Sequence, residues 1–264
     1  MRKTTCLLLV LYGAVWRRLV LPGAAWGCSR RSSRGALSRG HRDGGEHWYG
    51  TIPDCQFAIW ESDGTSTRAH ALATAPDRDD SRVDGDDPLA AWQWYPASTN
   101  DSTTGTYAAR YPLSWTRYSG VFAAEVSCEA VSPILPGDYQ RSSYPVAVFR
   151  WTLRNPTNRP LQLSLLLSWR NTVGWFTNTD PSAEVHFRDD GSPEHNYAPA
   201  IGAGEGQSNR WVDQPGLKGV LLDGRRSQPL AEGEGRWCLA LPDNLAEVEV
   251  MRCSRWDPTG DGAE

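Results

Sequence analysis

Strict alternation of apolar and polar residues over three stretches constrains the fold of this chain more than any other feature. From Phe122 to Ala130, the residues Phe122, Ala124, Val126, Cys128 and Ala130 take every second place, with Ala123, Glu125, Ser127 and Glu129 between them. Successive side chains of a strand point to opposite faces, so this pattern is a strand with one face buried. Phe149, Trp151 and Leu153 alternate with Arg150, Thr152 and Arg154 in the same way. Leu161, Leu163, Leu165, Leu167 and Trp169 then alternate with Gln162, Ser164, Ser168 and Arg170. Between these last two runs lies Asn155-Pro156-Thr157-Asn158-Arg159-Pro160, whose prolines and asparagines can continue neither a helix nor a central strand. The pair is therefore expected as an antiparallel hairpin with a long loop.

The rest of the chain points the same way. In His47 to Trp60 (HWYGTIPDCQFAIW) a turn at Pro53-Asp54 leads into a short strand with Cys55, Phe57 and Ile59 on one face. Short runs at Val220–Leu222, Trp237–Leu241 and Glu247–Cys253 are bounded by Gly, Pro and Asp-Asn. No amphipathic helix longer than two turns is expected. The fold class that follows is all-β, a large two-sheet antiparallel β-sandwich over residues 46–264, and a chain of 264 residues can bury the core it needs. From Asp180 to Gln214 the sequence is rich in Gly, Ser, Pro and Asn, which predicts a long loop of functional or interfacial use.

Residues 1–45 differ from the body. They hold nine Lys or Arg and one acid, Asp43, in a chain whose net charge is -4. Residues 27–45 have no period of 2 or 3.6, so the segment is expected to be irregular and basic. Arg2 and Lys3 precede an apolar run from Cys6 to Trp16, and small residues follow near Ala24 and Ala25, so residues 1–26 have the form of an export signal. The run is too short to span a bilayer as a helix. Only two of the 27 basic residues are Lys, and no basic-aromatic interleaving follows, so nucleic-acid binding is not expected.

The usual catalytic motifs are missing. There is no G-x-S-x-G, P-loop, G-x-G-x-x-G or H-E-x-x-H, and the five histidines are dispersed. Six scattered cysteines without a C-x-x-C imply reduced core thiols, neither a disulfide framework nor a zinc site. The acidic stretch Asp77 to Asp87 lacks calcium-loop spacing, so neither metal nor cofactor is expected. What remains is carboxylate chemistry of the glycosidase kind, with Glu125, Glu129, Asp180 and Glu184 among the acids available. The chain also has 13 Trp against 5 Phe, and indoles suit half-buried β surfaces and sugar platforms. Trp175 and Trp211 would form the platform if the chain were a stand-alone carbohydrate-binding module.

The segments YPLSWTRY (Tyr111 to Tyr118), CEAVSPILPGDYQRSSYPVAVFRWTLRNPT (Cys128 to Thr157) and LSWRNTVGW (Leu167 to Trp175) closely resemble the N-terminal domain of the non-lysosomal glucosylceramidase, or bile-acid β-glucosidase, family, glycoside hydrolase family 116. HWYGTIPDCQFAIW and RWDPTGDG (Arg255 to Gly262) look like the family too, so the resemblance covers about residues 44–262. Between Gly27 and Arg42 the chain departs from the glycine-rich opening usual in the family. The resemblance implies a large β-sandwich. It also implies a partner, an (α/α) toroid catalytic domain that supplies the nucleophilic Glu and the acid/base Asp of a retaining β-glucosidase. This sequence stops at Glu264, where the toroid would follow, so no catalytic residue is carried onto it and the chain alone is expected to be inactive. Its expected role is to dock on the toroid, through which a β-glucoside or glucosylceramide is reached. Trp115, Arg117, Asn171 and Trp175, in the best-matched segments, are the candidates for a domain interface or sugar rim. Family members imply a cytoplasmic protein with at most peripheral membrane contact, export being the alternative.

Overall fold

The computed structural model describes residues 3–13, 55–73, 92–96, 105–144, 146–169, 171, 173, 186–187, 193–194, 206–224, 235–243, 245 and 248–252. The first half of the chain forms β1 (Lys3–Gly13), β2 (Phe57–Ser62), β3 (Thr67–Ala71), β4 (Gln93–Trp94), β5 (Gly105–Arg110), β6 (Leu113–Tyr118) and β7 (Glu125–Val131). A four-residue helix, α1 (Tyr139–Ser142), precedes β8 (Val146–Arg154) and β9 (Gln162–Leu167). Two-residue strands β10 (His186–Phe187) and β11 (Pro193–Glu194) are followed by β12 (Ser208–Gln214), β13 (Leu217–Asp223) and β14 (Arg236–Leu241).

Eight strands pair in the order β12-β13-β14-β1-β8-β7-β6-β5, and four in the order β4-β3-β2-β9. The core lies between these sheets. Phe57 and Ile59 of β2 meet Val126 and Cys128 of β7 and Phe149, Trp151 and Leu153 of β8, all buried. Phe57 sits between two of these rings, 5.2 Å from Phe149 and 4.9 Å from Trp151, both tilted. The burial of β7 alternates residue by residue as the sequence alternates, which confirms the sandwich and its inner face.

A buried carboxylate closes one rim. Glu61 of β2 accepts the backbone N–H groups of Ala123 and Ala124, both at 2.8 Å, and pairs with Arg68 at 3.4 Å. Phe122 and Ala124 are therefore buried in a bend, and β7 begins at Glu125, not at Phe122.

Several expectations need correction. The alternating runs around Phe149–Leu153 and Leu161–Trp169 do not form a hairpin, because β8 belongs to the larger sheet and β9 pairs with β2 in the smaller one. Two consecutive strands with one apolar face each satisfy both by facing one another across the interlayer, and the proline-bearing linker arches between sheets. Asn155 holds that arch, donating to the Arg159 carbonyl at 2.7 Å and accepting from Thr157 N–H at 2.9 Å. One strand pair, β3 with β4, is parallel. Inside the stretch expected as loop from Asp180 to Gln214, Ser208–Gln214 is an edge strand, its exposed polar side chains hiding it from a hydrophobic pattern. Val248 to Val250 form no strand. Finally, Lys3–Gly13, placed by sequence in an irregular, signal-like segment, is a central strand paired with β8 and β14. The acidic stretch Asp77 to Asp87 lies outside the described residues.

Candidate functional site

On β5 to β8 the face turned away from the core carries rows of side chains set by the register. Ala108, Trp115, Glu129 and Arg150 stand in one row across the four strands, and Thr106, Arg117, Ser127 and Thr152 in the next. Glu125 and Arg154 begin a third. The indole N–H of Trp115 donates to Glu129 Oε2 at 3.1 Å, and Arg150 Nη1 reaches Glu129 Oε1 at 3.1 Å. Arg154 Nε donates to Glu125 Oε2 at 2.6 Å, with a second contact from its Nη2 to Oε1. The hydrogen bonds and charge of Arg154, with the charge of Arg117 adding to them, hold the Glu125 carboxyl below the usual carboxylate range. Arg117 itself forms no ion pair with another described residue. Because the middle row has short Thr and Ser side chains between longer ones, the face is grooved. A groove of about 480 Å³ beside Trp115 continues into one of about 400 Å³ beside Arg154, and Arg117, Ser127 and Thr152 line both.

At one end of this face the chain displays apolar side chains on a rigid frame. The turn between β5 and β6 carries Tyr111, 81% exposed, and the loop between β7 and β8 carries Ile134, Leu135, Tyr139 and Tyr144, all exposed. Both connections fall at the same end of the antiparallel meander and touch, Ser132 N–H donating to the Pro112 carbonyl at 3.4 Å. The loop is braced internally. Asp138 caps α1 by accepting from Arg141 N–H at 2.8 Å, and Ser142 Oγ both accepts from Leu135 N–H at 2.8 Å and donates to its carbonyl at 3.1 Å. Gly137, at φ 79°, makes the turn that a side chain would strain. Sequence reading missed these apolar residues; their signal is five large apolar side chains set among Pro, Gly and Ser, where water-facing loops are ordinarily polar.

Of the residues singled out by sequence, Trp115 and Arg117 share this face, two residues apart on β6. Asn171 does not join them. Its amide donates to the carbonyls of Ser208 and Asp223 at 3.3 and 2.9 Å and to Asn209 Oδ1 at 3.0 Å, and its oxygen accepts from Val173 N–H at 3.0 Å. Those partners belong to β12 and β13, with four strands between them and β6. Every polar atom of the Asn171 side chain is thus engaged in tying the segment after β9 to the far edge of the larger sheet. Trp175 lies outside the described residues. Trp211 is half-buried, with the guanidinium of Arg252 5.8 Å from its ring centre, so it is not an open platform.

Glu125 and Glu129 do not make a hydrolytic pair. Glu125 and Glu129 are four residues apart on β7, about 13 Å along the strand, whereas glycosidase carboxylates stand roughly 5–9.5 Å apart. Each is also paired to an arginine. No cluster of His, Cys, Asp or Glu among the described residues could hold a metal. No helix among them is long and apolar enough to cross a membrane.

The family model described as beta-glucosidase 2, glycosyl-hydrolase family 116 N-term, matches residues 21–264. The chain belongs to this family. As a family-116 N-terminal domain it matches from residue 21, well before residue 44 where its readable motifs begin, so part of the basic N-terminal segment belongs to the family match as well. The two-sheet sandwich of this family-116 domain agrees with what its sequence pattern requires, and membership implies a catalytic domain as partner.

Proposed function

We infer that this family-116 domain acts as the docking half of a β-glucosidase, seating a family catalytic domain on the apolar end built from Tyr111, Ile134, Leu135, Tyr139 and Tyr144. The observation that carries the reading is the internal bracing of that end. Exposed aromatic and aliphatic side chains held by a capped helix turn and reciprocal Ser142–Leu135 hydrogen bonds are presented without freedom to fold back, which lowers the ordering cost of association. Such residues carry most of the binding energy of protein interfaces. The occupant is a catalytic domain of the same family because the family match is to an N-terminal portion. In this reading hydrolysis of a β-glucoside or glucosylceramide belongs to that partner, the protein works in the cytoplasm, and contact with membrane is peripheral at most.

The test is sedimentation of the full chain with a separately produced family-116 catalytic domain. A one-to-one complex that Leu135→Glu and Tyr139→Glu dissociate supports the docking face. No complex, or one indifferent to both substitutions, overturns it. A stand-alone carbohydrate-binding module resting on Trp175 and Trp211 gains nothing from the structure.

A further inference from the structure

The outer face of β5 to β8 continues from the apolar end, and its charges do not balance. By register, Arg110 of β5 and Trp115 and Arg117 of β6 all stand on this face, Arg117 two residues beyond Trp115 and Arg110 diagonal to it on the neighbouring strand. Trp115 is 39% exposed, and its indole N–H is engaged by Glu129, which fixes the ring. Glu129 also pairs with Arg150, and Glu125 is held by two nitrogens of Arg154. Both carboxylates of the face are thus matched. Arg110 and Arg117 are exposed and form no ion pair with another described residue. Four arginines against two glutamates leave a surplus of two positive charges around an exposed indole, in a chain whose net charge is -4.

We propose that Arg110 and Arg117 are the charged contacts by which this surface selects its partner, each receiving an aspartate or glutamate side chain of the docked catalytic domain on either side of Trp115. The inference rests on the docking reading and adds what the partner must present. Arg110 adjoins the turn of Tyr111, and Arg117 lies four residues from Leu113, about 13 Å along β6. A stable interface covers about 800 Å² per partner, so one seated on Tyr111 takes in both arginines. Covering a guanidinium removes it from water, which is costly without a counter-charge. Glu125 and Glu129 cannot turn to them without stranding Arg154 and Arg150. The carboxylates must therefore come from the partner. Around Arg117 the short side chains of Thr106, Ser127 and Thr152 leave a groove of about 480 Å³ for an incoming side chain, whose two oxygens fit the guanidinium fork. Trp and Arg are also enriched among the residues that carry most of the energy at such surfaces.

The test is association of the full chain with a separately produced family-116 catalytic domain, followed by surface plasmon resonance. Arg110→Glu with Arg117→Glu should weaken the complex about thirtyfold or more, and Arg110→Lys with Arg117→Lys by less, since Lys keeps the charge and loses the fork. Association by the parent should slow as salt is raised from about 50 to about 500 mM, and much less so in Arg110→Gln with Arg117→Gln. Both residues are at the surface, so the melting temperature of each variant should stay near that of the parent. A complex that Leu135→Glu and Tyr139→Glu dissociate, but that Arg110→Glu with Arg117→Glu leaves unchanged, overturns this inference and leaves docking standing. No complex at all overturns both. Heat on titrating inorganic phosphate into the full chain alone, abolished in the Gln variant, would make the arginines a small-anion site and overturn the inference as well.

Discussion

The phenol of Tyr95 exchanges two hydrogen bonds with Ser119 across the sandwich, donating to its carbonyl at 2.7 Å and accepting from its N–H at 2.8 Å. Tyr95 follows β4 of the smaller sheet and Ser119 follows β6 of the larger, so one side chain replaces the ladder partner that β6 loses at its end. Its ring also packs edge-on against Tyr118 at 5.0 Å.

Tyr95→Phe keeps the ring and strands both backbone groups of Ser119. A loss of about 1–3 kcal/mol is expected in urea unfolding. Burial raises the Tyr95 phenol above its ordinary value, so its contribution is complete below about pH 10 and declines as pH rises through the higher folded value. The parent should therefore lose stability above that pH more steeply than Tyr95→Phe does.

Removing residues 1–13 takes out a central strand. The larger sheet would be split between β8 and β14, which both pair with Lys3–Gly13. The truncated chain should unfold at least about 4 kcal/mol more easily than the parent or precipitate. An unchanged thermal transition would show that β8 and β14 do not need this strand.

Asn171→Ala should lower stability by about 1 kcal/mol, because the part-buried Asp223 carbonyl and Val173 N–H lose their bonds. Asn171→Asp should be worse, since a carboxylate cannot donate to the Ser208 and Asp223 carbonyls and sets a charge against them. Chemical denaturation of both variants decides this order, and an Asp variant as stable as the parent would contradict the tie.

Cys128 is buried in the interlayer, and burial, helped by the charge of Glu129, pushes its thiol well above the usual range. Iodoacetamide mapping by mass spectrometry should leave it unmodified until denaturant is added. Cys128 and Cys238 are free thiols in the structure.

The inner face of the sandwich was legible because β7 and β8 each have one dry face, and period 2 records that directly. Partnership was not legible, because the pattern of β8 and β9 is the same whether they lie side by side or face one another. β1 was hidden for the opposite reason. Its apolar run is continuous, with no period of 2, and such a run looks like an export signal when basic residues precede it. At the candidate site, Trp115 and Arg117 came from a family-like segment and proved to be neighbours on one face. Asn171 looked equally available because no sequence pattern records that its amide is engaged at β12 and β13. The apolar end escaped notice because its residues belong to turns, where no period organises them.

Leu135→Glu and Tyr139→Glu together should weaken docking of the catalytic domain by about 2 kcal/mol or more, roughly thirtyfold, without altering the melting temperature. The measurement that bears most directly on the docking role is aryl-β-glucoside hydrolysis by the full chain, by a family-116 catalytic domain, and by the two mixed. The account predicts no turnover by this chain alone and a gain on mixing that saturates at one-to-one and is lost in the double variant. Turnover by the chain alone, or a catalytic domain indifferent to its presence, would contradict it.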